Sequence, residues 1–337
     1  MKSKTMLCIF LTAAMAAAAF LPSCSNAQDE ISSSTSSAVS VDSTLPISSA
    51  LSSIPPTGYT SSAPISSIPL PDPVSGTYNS QSIIMQYSVI TDYIWPQDNL
   101  IPTYFLNGYT PFWYYGTDSI DPIFAYSNIG ATFLDKTGRM ICEPIYASAS
   151  YFNDEGLGLV QKELDSGRWT YIDADGNEVS EVQNPQFSDI QISEYVNGLK
   201  FAKLDEGEHR NVIMNEAGET VAVLPDDKII EGYVASDSLV VCGIGDDDLP
   251  YSNYYQIYDI NGNLISETKF DRIGNCYNGL IPFYLDGKLG IMGDDGSIVI
   301  PASYPIELNY YYSFILNEDL IIVNTEGKVG IIEIIRS

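Results

Sequence analysis

The sequence predicts an all-β chain built from tandem hairpin repeats of about forty residues. Three observations carry that expectation. First, a short apolar segment returns at a steady step: Leu157 in GLGLV, Leu199 in GLKFA, Leu239 in SLVVC, Leu280 in GLIPF and Leu320 in DLIIV, separated by 42, 40, 41 and 40 residues. Second, a four-residue turn returns with it: Asp135–Gly138, Asp173–Gly176, Asn215–Gly218, Asp259–Gly262, Gly293–Gly296 and Asn324–Gly327. Third, the segments between the glycines are β-branched and aromatic, and none shows a helical period.

The turn explains itself chemically. An Asp or Asn at its start accepts a hydrogen bond from backbone two residues on, and the closing Gly adopts a left-handed φ without a Cβ clash. Between strand-like runs such as TYID and EVS this is a hairpin loop, a type I turn followed by a G1 bulge. One forty-residue unit cannot cover its own apolar face, so neighbours must stack and share a core. A propeller-like ring meets that demand, and so does an open β-solenoid. The last strand, KVGIIEII, is a bare half-unit; pairing with the N-terminal unit would close a ring, pairing with the unit before it would leave an open stack.

These units resemble the WG-repeat (KWG) family, on GKLGIMGDDGSIVIPASY and GRWTYIDADGNEV. Arg168-Trp169 keeps the family's tryptophan and replaces its glycine with Thr170. Lys288-Leu289-Gly290 and Lys328-Val329-Gly330 keep the basic residue and the glycine without the tryptophan. The likeness runs from about Ala125 to Ile335. It implies a β-repeat domain for binding or display in exported bacterial proteins, and it brings no catalytic residues.

The chain ahead of the repeats reads as an address and a spacer. Met1 to Leu21 has a basic start (Lys2, Lys4) and an apolar run rich in Ala, the layout of an export signal and too short for a lasting span. Leu21-Pro22-Ser23-Cys24 resembles a lipoprotein lipobox. That resemblance implies a signal peptide over 1–23, a lipid (palmitate) on Cys24 and anchoring to the bacterial cell membrane, facing outside. Cleavage after Ser25-Asn26-Ala27 would instead release a soluble, secreted protein. Residues 24–77 are rich in Ser, Thr, Pro and Ala, with no Lys or Arg between Thr5 and Asp135. Such a segment cannot offset its chain entropy by burial and is expected to be a disordered linker. As a flexible coil it would reach roughly 40 Å. Residues 78–124, with DYIWPQDNL and NGYTPFWYYG, read as a divergent first unit or cap, and 125–337 as the repeat domain.

Composition narrows the partners. With 43 acidic against 15 basic residues the net charge is −28, which argues against nucleic acid and against docking on anionic surfaces. Cys142, Cys242 and Cys276 form no C-x-x-C pair and read as small hydrophobes, the first two in strand-like runs. His209, the sole histidine, sits in the polar segment DEGEHRN without the fixed partner that a nucleophile's base needs. No phosphate- or dinucleotide-binding spacing appears. The Asp and Glu residues fall mostly in the repeated turns, where backbone capping explains them; a paired-carboxylate polysaccharide hydrolase in a central cleft is the enzymatic alternative. No catalytic residue is assigned.

One stretch breaks the repeat, Gly243 to Tyr255. Its Asp246, Asp247 and Asp248 have the oxygen ligands Ca²⁺ prefers, and DADGN at Asp173–Asn177 has part of a calcium loop. Three aromatic groups offer flat faces to sugars or side chains: Trp113-Tyr114-Tyr115, Tyr251 with Tyr254 and Tyr255, and Tyr310-Tyr311-Tyr312. The expected role is therefore a non-enzymatic, surface-tethered protein that binds an extracellular glycan or protein. A structural part in an envelope assembly is the third reading.

Overall fold

The computed structural model describes residues 65–94, 104–114, 130–163, 166, 168–183, 185, 195–204, 210–225, 228–245, 252–307 and 315–337. Among these there is no helix; twenty strands form six antiparallel sheets. The first sheet has the order β1 (Val74–Tyr78), β2 (Gln81–Ile94), β20 (Lys328–Arg336), β19 (Leu320–Thr325). The second pairs β3 (Tyr109–Tyr114) with β4 (Gly130–Asp135). The third runs β5 (Ser148–Phe152), β6 (Gly158–Gln161), β7 (Arg168–Ile172), β8 (Glu178–Gln183). The fourth holds β9 (Leu199–Leu204), β10 (Arg210–Asn215) and β11 (Thr220–Val223). The fifth holds β12 (Ile229–Val234), β13 (Leu239–Ile244) and β14 (Tyr254–Asp259). The sixth holds β15 (Arg272–Ile273), β16 (Leu280–Leu285), β17 (Lys288–Gly293) and β18 (Ile298–Pro305).

The repeated turn forms as its chemistry requires. The N–H of Gly138, Gly176, Gly218, Gly262 and Gly296 each donates to the carbonyl three residues earlier, and all five glycines have φ between 77° and 86°. Asp135, Asp173 and Asp259 each accept, on Oδ1, the N–H groups two and four residues on. Asn324–Gly327 departs from the series. Asn324 lies inside β19, and Glu326 and Gly327 both have positive φ (51° and 73°), a two-residue type I′ connection like Asp286-Gly287 between β16 and β17. A second type I′ turn precedes β3, β9, β16 and β19, at Asn107-Gly108, Asn197-Gly198, Asn278-Gly279 and Glu318-Asp319.

Apolar clusters join the sheets face to face. Val89, Ile322, Val329 and Ile331 of the first sheet meet Phe112 and Leu134 of the second. Trp113, Ala131 and Phe133 of the second meet Ala149, Val160 and Ile172 of the third. Ile213 and Ala222 of the fourth meet Val240 and Cys242 of the fifth. Leu239, Val241 and Ile257 of the fifth meet Ile281, Phe283 and Met292 of the sixth. Leu289, Ile291 and Ile300 of the sixth meet Ile83, Met85, Ile321 and Ile332, back in the first. A strand between two such clusters is covered on both faces, so β13 and β19 are buried at every position and read as unbroken apolar runs.

The array is propeller-like, and its two ends share one sheet: β20 pairs with β2 from Ile83↔Arg336 to Ile94↔Lys328. The bare half-unit thus completes the N-terminal one. Tyr87 Oη and Thr325 Oγ1, 2.8 Å apart, add a buried polar link in that sheet, and burial pushes the Tyr87 hydroxyl up to about 12. Tyr304 Oη donates to the carbonyls of Met85 (2.7 Å) and Asp72 (2.9 Å), tying sixth sheet to first.

Several expectations are corrected. Part of the segment expected to be a linker is paired: Ile65 bridges Thr91, and β1 begins at Val74. The backbone of Gly76 lies so close to the sixth sheet that a Cβ there would meet Val299 O at 1.9 Å. Within 78–124, expected as a divergent first unit or cap, the described residues fall in two sheets: β2 closes the first and β3 opens the second. Of the forty-step leucines, Leu239, Leu280 and Leu320 are buried, whereas Leu157 and Leu199 are half-buried. Cys242 is a buried strand residue; Cys142, half-buried, follows β4 outside any strand. The export signal, Cys24 and residues 24–64 lie outside the described residues.

Candidate functional site

The densest constellation of polar and aromatic side chains stands on the fifth sheet. Glu231, Gly243 and Tyr255 are partners in register across β12, β13 and β14, so they share one row and one face. Gly243 leaves a notch in that row. A Cβ there would lie 2.1 Å from Ser252 Oγ and 2.7 Å from Glu231 Cγ. Ser252 fills the notch and donates its hydroxyl to Glu231 Oε1 (2.5 Å); Tyr255 Oη donates to the same oxygen (2.8 Å).

One cation flanks this row and a second lies on the other face of the sheet. The Arg272 guanidinium lies over the Tyr255 ring, 5.4 Å from its centroid, and its Nη1 donates to the Asp271 carbonyl. Lys269 Nζ lies 4.5 Å from the Tyr254 centroid; Tyr254, next along β14, points to the opposite face of the sheet. Tyr233, two residues beyond Glu231 on the same face, donates to the carbonyls of Ile273 (3.0 Å) and Gly274 (2.9 Å), fixing the fifth sheet against β15. Burial pushes both tyrosine hydroxyls up, and for Tyr255 the hydrogen bond and charge of Glu231 push the same way.

Both hydroxyl protons are held on one carboxylate oxygen, Glu231 Oε1. Glu231 is exposed, and its Oε2 carries no hydrogen bond among the described residues. A free acceptor on an immobilised carboxylate, beside a guanidinium laid on an aromatic face, suits a ligand that donates hydroxyls and stacks.

The other expected positions fall differently. Trp113 is buried in the cluster between second and third sheets, so its face serves packing and not a ligand. Tyr114 is on β3; Tyr115, Tyr251, Tyr310, Tyr311, Tyr312, Asp246, Asp247, Asp248 and His209 lie outside the described residues. At Asp173–Asn177 both Asp173 oxygens accept N–H bonds, from Asp175, the Asn177 backbone and Asn177 Nδ2. Among the described residues no group of three His, Cys, Asp or Glu side chains converges on a metal position. A hollow of about 400 Å³ on β7–β8, lined by Arg168, Glu181, Val182 and Gln183, lies on a different sheet and gathers no such network. Sequence reasoning placed Tyr254 and Tyr255 but missed Glu231, Ser252 and Arg272. The available signal was Gly243, a lone glycine in the apolar run LVVCGI, which marks a close approach within a strand.

Comparison with known proteins gives a repeat. Residues 132–163 and 257–288 match the WG containing repeat. Each match begins in the second strand of one hairpin and ends past the second strand of the next sheet, β4 to β6 and β14 to β16, so the sequence repeat straddles two sheets. No curated protein matches the chain. Among solved structures it is similar to Hsv2 of Kluyveromyces lactis (14% identity over 52% of this chain and 55% of that one, TM-score 0.27). It is also similar to a streptogramin B lyase (10% identity, 75% and 98% covered, TM-score 0.29) and to the WD40 domain of Neurospora crassa Pan2 (11%, 79% and 89%, TM-score 0.23). The chain spans little more than half the length of the Hsv2 structures it matches. All these TM-scores fall well below one half, and the architecture rests on the chain's own strand pairing.

Proposed function

We propose that these WG-type repeats form a non-enzymatic binding platform for an extracellular glycan. Lipid on Cys24 holds it at the outer face of a bacterial cell membrane, and residues 25–64 act as the spacer. The carrying observation is the Glu231 row: a carboxylate immobilised through one oxygen, its other oxygen open, beside the Arg272–Tyr255 pair. Sugar hydroxyls donate to the first and accept from the guanidinium of the second. The Ser/Pro-rich spacer and the lipobox support display, because catalysis on a soluble substrate requires neither.

The test uses the full chain with Cys24→Ala, which also reads the address by moving the protein from membrane to medium. Screened against a glycan panel and cell-envelope polysaccharide, it is expected to retain at least one glycan. Glu231→Gln is expected to weaken that binding about 10- to 100-fold, the loss of one charge-assisted hydrogen bond. Retention of no glycan, or unchanged affinity in Glu231→Gln, rejects the reading; turnover of a retained glycan would move the protein to the hydrolases.

A further inference from the structure

Arg272 reaches the Glu231 row from the sixth sheet, on a strand with little hold of its own. Strand β15 is two residues long and pairs with β16 only at Arg272↔Tyr284 and Ile273↔Phe283. Two residues outside the row pin the backbone on either side of Arg272. Asp271 N–H donates to Tyr284 O (3.0 Å), and Asp271 Oδ2 accepts the Asp286 N–H (2.9 Å) in the turn between β16 and β17. Asp271 is thus tied through main chain and side chain to one hairpin, which fixes the peptide joining it to Arg272. The carbonyl of that peptide accepts from Arg272 Nη1 (2.8 Å). Adjacent Asp and Arg invite an ion pair, yet none forms among the described residues; the carboxylate is turned to Asp286.

On the other side Tyr233 reaches across from the fifth sheet. Its hydroxyl proton is shared between the carbonyls of Ile273 (3.0 Å) and Gly274 (2.9 Å), while Gly274 N–H donates to Pro282 O (2.8 Å). The backbone is therefore held to the sixth sheet before Arg272 and to both sheets after it. From that fixed base the guanidinium lies over the ring of Tyr255, whose hydroxyl is committed to Glu231.

We infer that Asp271 and Tyr233 are positioning residues of the glycan site proposed above, on which their part in binding rests: they aim Arg272 and touch no ligand. An arginine already laid in place surrenders less rotamer freedom when a ligand arrives. Loss of either pin, in Asp271→Ala or Tyr233→Phe, is expected to weaken glycan binding about 3- to 10-fold. Asp271→Asn keeps a carbonyl oxygen for the Asp286 N–H and is expected to restore most of what Asp271→Ala loses.

A ligand-free measurement separates this role from the glycan reading. A guanidinium over a ring face has its Nε–H proton shielded by the ring current. In the full chain with Cys24→Ala, the Arg272 resonance is identified by its loss in Arg272→Met. It is expected to move toward the position of an exposed arginine in Asp271→Ala and in Tyr233→Phe, and to stay in place in Asp271→Asn. With a glycan that the parent retains, neither Asp271→Ala nor Tyr233→Phe is expected to weaken binding further in the Arg272→Met background. An unmoved resonance in Asp271→Ala or Tyr233→Phe overturns the inference whatever is bound, and so does unchanged affinity for a retained glycan. A displaced resonance in Asp271→Asn would make the carboxylate's charge the cause, and further loss in the Arg272→Met background would mean action by another route; each overturns it too. Should Asp271→Ala fold poorly, Tyr233→Phe carries the same outcomes. If no glycan is retained, the glycan reading fails and the resonance still decides the positioning.

Discussion

At the scale of residues, a missing side chain organises the candidate site. Gly243 is the only way three strands can place Ser252 Oγ and Tyr255 Oη on one oxygen of Glu231, because any Cβ at that position occupies the hydroxyl's place. Gly243→Ala is therefore expected to displace Ser252, cost about 1–3 kcal/mol by overpacking and reduce glycan binding as Glu231→Gln does. Urea denaturation and the same glycan panel measure the two effects. A stable variant that binds normally would show that the Ser252 contact is dispensable.

At the scale of elements, the hairpin turn carries the fold's local instructions. Burial works against ionisation of Asp135, but hydrogen bonds from the Thr137 hydroxyl, the Arg139 side chain and both backbone N–H groups outweigh it and hold the carboxyl below its ordinary value. Asp173, held chiefly by Asn177, and Asp259, held by Asn263 and Asn261 against burial, are lowered likewise. A carboxyl lowered in the folded state stabilises it above the unfolded value, and that contribution is lost as pH falls through the folded one. Urea midpoints are thus expected to drop below about pH 4, with a shallower drop in Asp135→Asn. Asp135→Ala is expected to cost about 1–2 kcal/mol at neutral pH. These turns were legible in the sequence because all their bonds fall within four residues. The type I′ turn at Glu326-Gly327 was not, since its four-letter spelling matches the other series and only strand register tells them apart.

At the scale of the whole molecule, β20 is the clasp. Removing Lys328–Ser337 deletes Val329, Ile331, Ile332 and Ile334 from two clusters and leaves β2 and β19 without their shared partner. At about 1.5–3 kcal/mol for each buried side chain the loss reaches roughly 6–12 kcal/mol, comparable with the net stability of a domain. The truncated chain is expected to show no cooperative unfolding by circular dichroism. A sharp transition near the intact midpoint would mean that the ring does not depend on union of its ends.

The amino-acid sequence by itself determined the β class, the forty-residue step and five of the turns, because alternation, left-handed glycines and Asx hydrogen bonds act between near neighbours. It also left a mark of the candidate site in Gly243 and the adjacent tyrosines. Only the tertiary structure decided that β20 returns to β2, that Trp113 is core, and that Glu231, Ser252, Tyr255 and Arg272 come together. Those contacts join residues from about twenty to more than two hundred positions apart. Their existence depends on which sheet stacks on which, and the repeat makes every unit a plausible neighbour of every other.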